Sequence, residues 1–381
     1  MGKTIKSLFV VKNAKKIDKN ALILIICVLI LSIFGCIMVY SASSYSAIKH
    51  YNNEYFFLSK QIVGVVAGII GLIFFYFFDS NLLKKFKWIV LAVSIIGLIL
   101  VFIPGIGVEN YGARRWISIL GFSFQPSELA KFALILFCAC ELSEKYKKVK
   151  KLKVLIPVFL VGAVLCLLII AEPNMSVTMC MGATLICMLI IGGISKKHFA
   201  MFAIPAGLSV PALIISEPYR MKRLMAFIDP WANPKGEGFQ LIQSLYALGN
   251  GGLFGVGLFN SRQKYLFLPF SESDFIFSII GEELGLIGCL FIMCLFITML
   301  VCIIKIALNA KDRFGAMFSS GVAILIGIQV AINIAVVTGS IPPTGIPFPF
   351  ISAGSTSLLV FMSAIGVVLN VDRQSRKSVI Q

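Results

Sequence analysis

The chain has 381 residues, of which 59% are hydrophobic and 13% charged, with a formal net charge of +17 at pH 7. That balance excludes a soluble globular domain and calls for a lipid environment. The positive charge does not point to nucleic acid, because it is spread over the loops between apolar runs rather than gathered on one patch.

The chain opens with a basic tail over residues 1–20, carrying Lys3, Lys6, Lys12, Lys15, Lys16 and Lys19. An apolar window at 21–40 follows without a small-residue cleavage site, so it reads as an uncleaved anchor and not as a signal peptide. Lys6 in MGKTIK stands where a myristoylation signal needs Ser or Thr. Further windows of about 20 apolar residues, the length that crosses the hydrocarbon core, fall at 58–78, 87–104, 126–143, 153–171, 175–193, 198–216, 275–304, 315–339 and 350–370. The sequence thus predicts an all-α polytopic membrane protein with ten transmembrane helices.

Basic residues collect in alternate connections: Lys84, Lys85 and Lys87, the run KYKKVKKLK, Lys196 and Lys197, Lys305, Lys311 and Arg313, and Arg373, Arg376 and Lys377. By the positive-inside rule these face the cytoplasm, as do both termini. The expected organisation is a membrane domain over 21–371, with a large extracytoplasmic loop at 217–274 between helices 7 and 8, and a cytoplasmic tail at 372–381. All ten cysteines fall within predicted spans, so no structural disulfide is expected. His50 and His198 lie far from any cysteine cluster, which argues against zinc. No internal repeat is visible, and this disfavours an inverted-repeat transporter.

Within the long loop, GFQLIQSLYALG sets Leu241, Leu245 and Leu248 against Gln240, Gln243 and Ser244, a spacing that suits a helix lying in the membrane interface. The glycines of GNGGLFGVGLFN do not make a nucleotide fingerprint, because Asn260 replaces the last glycine and no strand precedes them.

Four constellations could carry chemistry. Arg114, Arg115, Arg220, Lys222, Arg223, Lys235, Arg262 and Lys264 crowd segments predicted to be outside, where basic residues should be sparse. They suit a pyrophosphate, or equally anionic lipid head groups. QPSELAKF opens the fourth span with Pro126 at the first helical position, and puts Glu128 and Lys131 on one face. These two read as a first-turn glutamate with a snorkelling lysine, or as an ion pair lining a polar cavity. In FLPFSESDFIFSIIGEELG, Asp274 stands where it could cap the eighth span. Glu282 and Glu283 lie about 12–14 Å deeper, at angles that keep them in different environments, one facing a cavity and the other an inter-helix partner. Ionisable groups at that depth are functional candidates by default. Finally, the prolines of TGSIPPTGIPFPFISAGSTS, Pro347 and Pro349 among them, forbid a regular helix before the tenth span, and a rigid outer turn is the simplest account.

Six ordered stretches, YGARRWI, FQPSELAK, EPNMS, the run from YRMKRL to GVGL, DFIFSIIGEELG and VTGSIPPTGIPFPFIS, make the chain resemble the SEDS family of FtsW, RodA and SpoVE over nearly its whole length. GARRW, SRQK and IGEELG are nearer to FtsW and SpoVE. The resemblance implies a peptidoglycan glycosyltransferase that polymerises lipid II at the outer face of the plasma membrane, at the division or sporulation septum. It makes Asp274 the essential catalytic acid and places Glu128 and Lys131 on a cavity wall. It also implies a class B penicillin-binding protein as transpeptidase partner, beside other division or sporulation membrane proteins. Where relatives often read Pro-Glu-x-His-Thr before that aspartate, this chain has Pro269, Phe270, Ser271, Glu272 and Ser273, and Asn174 stands where many have Asp.

On this reading Asp274 takes a proton from the attacking hydroxyl. Arg114, Arg115, Arg220, Arg223, Gln240, Gln243 and Lys264 are expected to meet the substrate beside Glu128 and Lys131. Glu282, Glu283, Pro347 and Pro349 are expected to shape the cavity. No cofactor is fixed by the sequence, and a divalent cation, magnesium or manganese, beside the basic residues would be compatible with pyrophosphate departure. The rival readings are a lipid II flippase, whose charges would line a path from both faces, and a structural recruiter of the transpeptidase, for which Asp274 would be dispensable.

Overall fold

The computed structural model describes residues 18–110, 113–119 and 122–378. The tail lysines before Lys19, and Tyr111 and Gly112 of the YGARRWI stretch, lie outside the described residues. In chain order the helices are α1 (Lys19–Tyr51), α2 (Phe56–Phe77), α3 (Ser80–Lys85), α4 (Lys87–Leu100), α5 (Pro126–Glu144), α6 (Leu152–Ala171), α7 (Met175–Ile191), α8 (Lys196–Ile215), α9 (Pro218–Ile228), α10 (Phe239–Gly251), α11 (Ile276–Leu308), α12 (Arg313–Val337) and α13 (Ser355–Ser378).

A helix stands at each of the ten apolar windows. Seven of them, α1, α2, α6, α8, α11, α12 and α13, are long and apolar enough to cross a membrane. The other three depart from a simple span for readable reasons. α4 has only 14 residues because the chain turns away at Val101 into Pro104 and Gly105 (φ 89°). α7 has 17 residues. α5 has 19 and carries Glu128, Lys131 and Glu141, yet nearly all its side chains are buried. It is therefore a central helix whose charges are covered by protein. The last helix begins at Ser355, later than the predicted 350, and runs through the expected tail boundary at 372 as far as Ser378.

The expectation of an all-α chain needs correction. Residues 107–124 form a three-stranded antiparallel sheet of β1 (Gly107–Asn110), β2 (Ala113–Ile119) and β3 (Phe122–Phe124), in the order β1-β2-β3, with Glu109 opposite Arg114 and Ile117 opposite Phe124. The β-branched and aromatic residues of RRWISI and FSF favour strands over helix. The loop 217–274 holds the expected helix, α10, and also α9, which the sequence reading did not foresee.

Two close approaches hold the bundle together. α2 packs along α13 through small residues, and a Cβ at Gly64 would lie 2.7 Å from the Cα of Ser355. Small residues let membrane helices approach this closely. The second is a break in α11 at Gly285 (φ 67°, ψ −166°), a conformation open essentially to glycine alone. Loop residues 252–257 satisfy the backbone groups that the break frees. Val256 and Gly257 donate N–H bonds to the carbonyls of Glu282 and Glu283 (2.9 and 3.0 Å), and Leu286 and Ile287 donate to Gly252 and Leu253 (2.9 and 3.2 Å). Non-helical backbone is tolerated at membrane depth where protein buries it in this way.

Candidate active site

A cavity of about 1310 Å³ opens at the end of the bundle that carries the sheet. Its lining is apolar at Ile170, Met175, Val177, Val210, Leu213 and Ile214 of α6, α7 and α8. It is polar at Arg115, Glu128, Arg220, Arg223, Gln240 and Asp274, and the proline loop (Pro342, Pro343, Gly345, Pro347) also lines it. A cavity with both kinds of lining can take an amphiphile.

Asp274 faces this cavity, and it does not cap its helix. The cap position of α11 is Phe275, and no side chain bonds to the first turn. Freed from that task, the Asp274 carboxylate accepts one bond, from the Ser273 hydroxyl at 2.9 Å. Burial pushes its pKa up, while Ser273, Arg223 and Arg115 pull the other way. The result is a carboxylate with raised basicity beside two guanidinium groups.

The adjacent arginines of β2 part because successive strand residues point to opposite faces. Arg114 turns to its cross-strand neighbour Glu109 at 3.2 Å and does not line the cavity. Arg115 lines it, anchored by Nε to the Glu172 carbonyl (3.2 Å) and by Nη2 to the Pro173 carbonyl (2.5 Å) at the C-terminal end of α6. Arg220 donates to the Leu213 carbonyl (2.7 Å), and so satisfies an acceptor in the last turn of α8. Arg223 lies over the Tyr219 ring and makes no ion pair among the described residues.

Glu128 and Lys131 form an ion pair at 2.7 Å with side-chain exposures of 2% and 0%. A snorkelling lysine would reach outward, and Lys131 does not; of the pair only Glu128 lines the cavity, and Lys131 is fully buried away from it. Glu128 Oε1 holds the lysine, while Oε2 has no partner. Gln240 lines the cavity and donates to the Pro269 carbonyl at 3.2 Å.

Other expected site residues are elsewhere. Lys264 is buried against Glu283 at 3.2 Å and does not line the cavity; neither does Gln243, which shares α10 with Gln240. Neither Glu282 nor Glu283 faces the cavity, while Glu283 does meet an inter-helix partner, Ser41 of α1. Both clasp the loop at 261–264, because the break at Gly285 lets that loop pass beside them. Glu282 accepts from the Ser261 hydroxyl and from the N–H groups of Arg262 (3.2 Å) and Gln263 (3.3 Å). Glu283 accepts from Ser41 Oγ (2.6 Å), Ser261 N–H (3.3 Å) and Lys264 Nζ. The buried face of α10 is Leu241, Ile242, Ser244 and Ala247, so the expected stripe was displaced: Leu245 is exposed, and Ser244 bonds to Ser278 and to the Val337 carbonyl. Pro347 lines the cavity and Pro349 is buried beside it.

Among the described residues no three His, Cys, Asp or Glu groups converge. The donor set does not fit a resident divalent cation. The ten cysteines are free thiols.

Residues 21–377 match the FtsW/RodA/SpoVE family, described as "Cell cycle protein". This chain belongs to that family. Among FtsW/RodA/SpoVE relatives, it is 41% identical to "Stage V sporulation protein E" of Bacillus subtilis (strain 168), over 96% of this chain and 100% of the relative. It is 39% identical to "Probable peptidoglycan glycosyltransferase FtsW" of Geobacter sp. (strain M18), over 95% and 99%. A chain from a structure titled "Structural coordination of polymerization and crosslinking by a peptidoglycan synthase complex" matches with a TM-score of 0.76 and 26% identity, over 92% of this chain and 97% of that one. Thermus thermophilus RodA shares the fold, with a TM-score of 0.68 at 22% identity over 92% and 96%. With its long apolar helices, this FtsW/RodA/SpoVE member is a multi-pass membrane protein.

Proposed function

We propose that this protein is a peptidoglycan glycosyltransferase that polymerises lipid II at the outer face of the bacterial plasma membrane, in septal or sporulation wall synthesis, beside a class B penicillin-binding protein. Ten crossings with both termini in the cytoplasm put the cavity on the outer side, in keeping with the loop charges. The observation that carries the reading is the Asp274 carboxylate, held by one neutral hydroxyl and facing an amphiphile-sized cavity that Arg115, Arg220 and Arg223 also line.

The chemistry follows from that geometry. The 4-hydroxyl oxygen of one GlcNAc attacks the anomeric carbon of a MurNAc on the other substrate, and its proton passes to an Asp274 oxygen. The new β-1,4 C–O bond forms as the bond from that carbon to the pyrophosphate oxygen breaks, with inversion. Arg115 and Arg223 stabilise the charge on the leaving undecaprenyl pyrophosphate. The apolar lining from α6, α7 and α8 accommodates the polyprenyl chain.

The flippase reading loses its main support, because Glu282 and Glu283, the deep charges that a transported head group would need, are occupied by loop donors. The deciding experiment is lipid II polymerisation by the purified protein with its transpeptidase partner. Absence of glycan strands would overturn the enzyme reading. Orientation is tested with a single cysteine in a cysteine-free variant: at Lys235 it should react with an impermeant thiol reagent in wall-stripped cells, and at Lys148 it should not. The reverse pattern would put the cavity on the wrong side.

A further inference from the structure

The backbone that carries Asp274 is not helical, and its placement has to be held from elsewhere. α11 begins at Ile276, so the carbonyls of Glu272, Ser273 and Asp274 precede the first turn. The one backbone N–H that reaches them among the described residues is that of Ala353, on the Glu272 carbonyl at 2.9 Å. Side chains meet the other two. Ser352 Oγ donates to the Ser273 carbonyl at 2.6 Å, and Asn333 Nδ2 donates to the Asp274 carbonyl at 2.8 Å.

Both side chains make a second connection, and both lead into the proline loop. Asn333 Nδ2 also donates to the Ile346 carbonyl at 2.8 Å, and Ser352 Oγ accepts from the Phe348 N–H at 2.8 Å. The loop passes close to the carboxylate, with room for no side chain between: a Cβ built on Gly345 would lie 3.2 Å from Asp274 Oδ2. Asn333 lies in the apolar helix α12 with 1% exposure, an expensive place for an amide. Its Oδ1 has no partner, so what the site uses is its pair of N–H donors.

We propose that Asn333 and Ser352 are positioning residues for polymerisation. By fastening the backbone of Ser273 and Asp274 to the proline loop they fix the direction of the Asp274 carboxylate, and they touch no substrate. The proposal rests on Asp274 being the base. A displacement of about 1 Å at a reacting group can cost about 10²-fold in rate, so two tethers on consecutive carbonyls are a rate-determining feature and not only a packing one.

The test uses the full chain with its transpeptidase partner and measures lipid II polymerisation and lipid II binding separately. N333L should lower kcat by about 10²-fold and S352A by about 10-fold, with the dissociation constant for lipid II held within about twofold of wild type in both. In an Asp274→Asn background the S352A cost should disappear, because there is no carboxylate left to aim. S352A keeps the proposal testable if N333L does not fold. Unchanged kcat in S352A while Asp274→Asn is impaired would overturn the positioning role and leave the base in place. An undiminished S352A cost in the Asp274→Asn background, or a loss of binding that accounts for the lost rate, would overturn it as well. Full activity of Asp274→Asn would overturn the reading on which it rests.

Discussion

The short helical segment 276–284 follows Asp274 by two residues and carries Glu282 and Glu283 near its far end, and the acids at the two ends are held in opposite ways. Glu282 and Glu283 are surrounded by donors from the loop at 261–264 and from α1, each carboxylate accepting three hydrogen bonds. Asp274 has one neutral hydroxyl and an open cavity. A carboxylate that takes three bonds from a loop and a neighbouring helix holds a structure together, even though Glu283 Oε2 is left buried without a partner, whereas one with a single neutral donor beside a cavity can accept a proton. Acidity at membrane depth marks both ends as costly, and only the count of donors tells which is structural.

The sharpest way to break this comparison is at Asp274. Asp274→Asn keeps the shape and removes the proton acceptor, and lipid II polymerisation should fall by roughly 10²- to 10⁴-fold while lipid II binding persists. Asp274→Glu should not restore the rate, since its carboxylate moves by about 1 Å. Wild-type glycan yield from the Asn variant would pass the role of base to Glu128.

At the other end, Lys264→Ala leaves Glu283 buried without its countercharge. A loss of about 3–5 kcal/mol is expected, read as a lower unfolding temperature in detergent, with activity per folded molecule retained. Lys131→Ala strands Glu128 in the same manner and should destabilise similarly. It differs in outcome, because Glu128 lines the cavity: activity per folded molecule should be lost while membrane insertion and partner binding continue. Equal behaviour of the two lysine variants would erase the distinction between the regions.

Gly285→Ala sharpens the comparison from the backbone side. Its conformation is strained for any side chain, and a Cβ would meet Gly255 N at 2.4 Å and Leu253 O at 2.5 Å. A cost of about 1–3 kcal/mol or more is expected, visible as weaker protease resistance of the loop at 252–264. Wild-type resistance would show that the break is not needed to seat the loop.

The smallest effect concerns Glu172, between α6 and α7, whose carboxylate oxygens are both buried without a partner. Burial pushes its pKa up to about 8 against the pull of Arg115. A raised carboxyl pKa means that the folded state holds a proton the unfolded state has released, so stability is lost as pH climbs from the ordinary glutamate value of about 4.3 through about 8. Glu172→Gln should therefore unfold at a higher temperature than wild type above pH ~8 and at a similar one below about pH 4. Parallel curves across that range would refute the assignment.

The helices were legible because apolar windows report them directly, and the Glu128–Lys131 pair was legible because i, i+3 spacing on a helix is a local fact. The sheet was not, since two neighbouring arginines and an acid masked its alternation. The roles of Glu282 and Glu283 were hidden for a different reason: projecting them from Asp274 at 100° per residue assumed that Asp274 belongs to the helix, which begins only at Ile276, and their partners come from a loop 19 to 22 residues earlier in the chain and from Ser41 of α1. Asn333 and Ser352 were missed although one signal was available, two amides, Gln329 and Asn333, inside the apolar span at 315–339.

The direction of those contacts along the chain bears on biogenesis. Ser41, Val256, Gly257 and the residues from Ser261 to Lys264 all precede Glu282 and Glu283, as do Gly252 and Leu253, which receive the freed N–H groups beyond Gly285. Synthesis runs from the N-terminus, so the ribosome has already delivered every one of these partners when the two acids emerge. The charged half of this broken helix can be received by finished protein and need never wait in bare lipid.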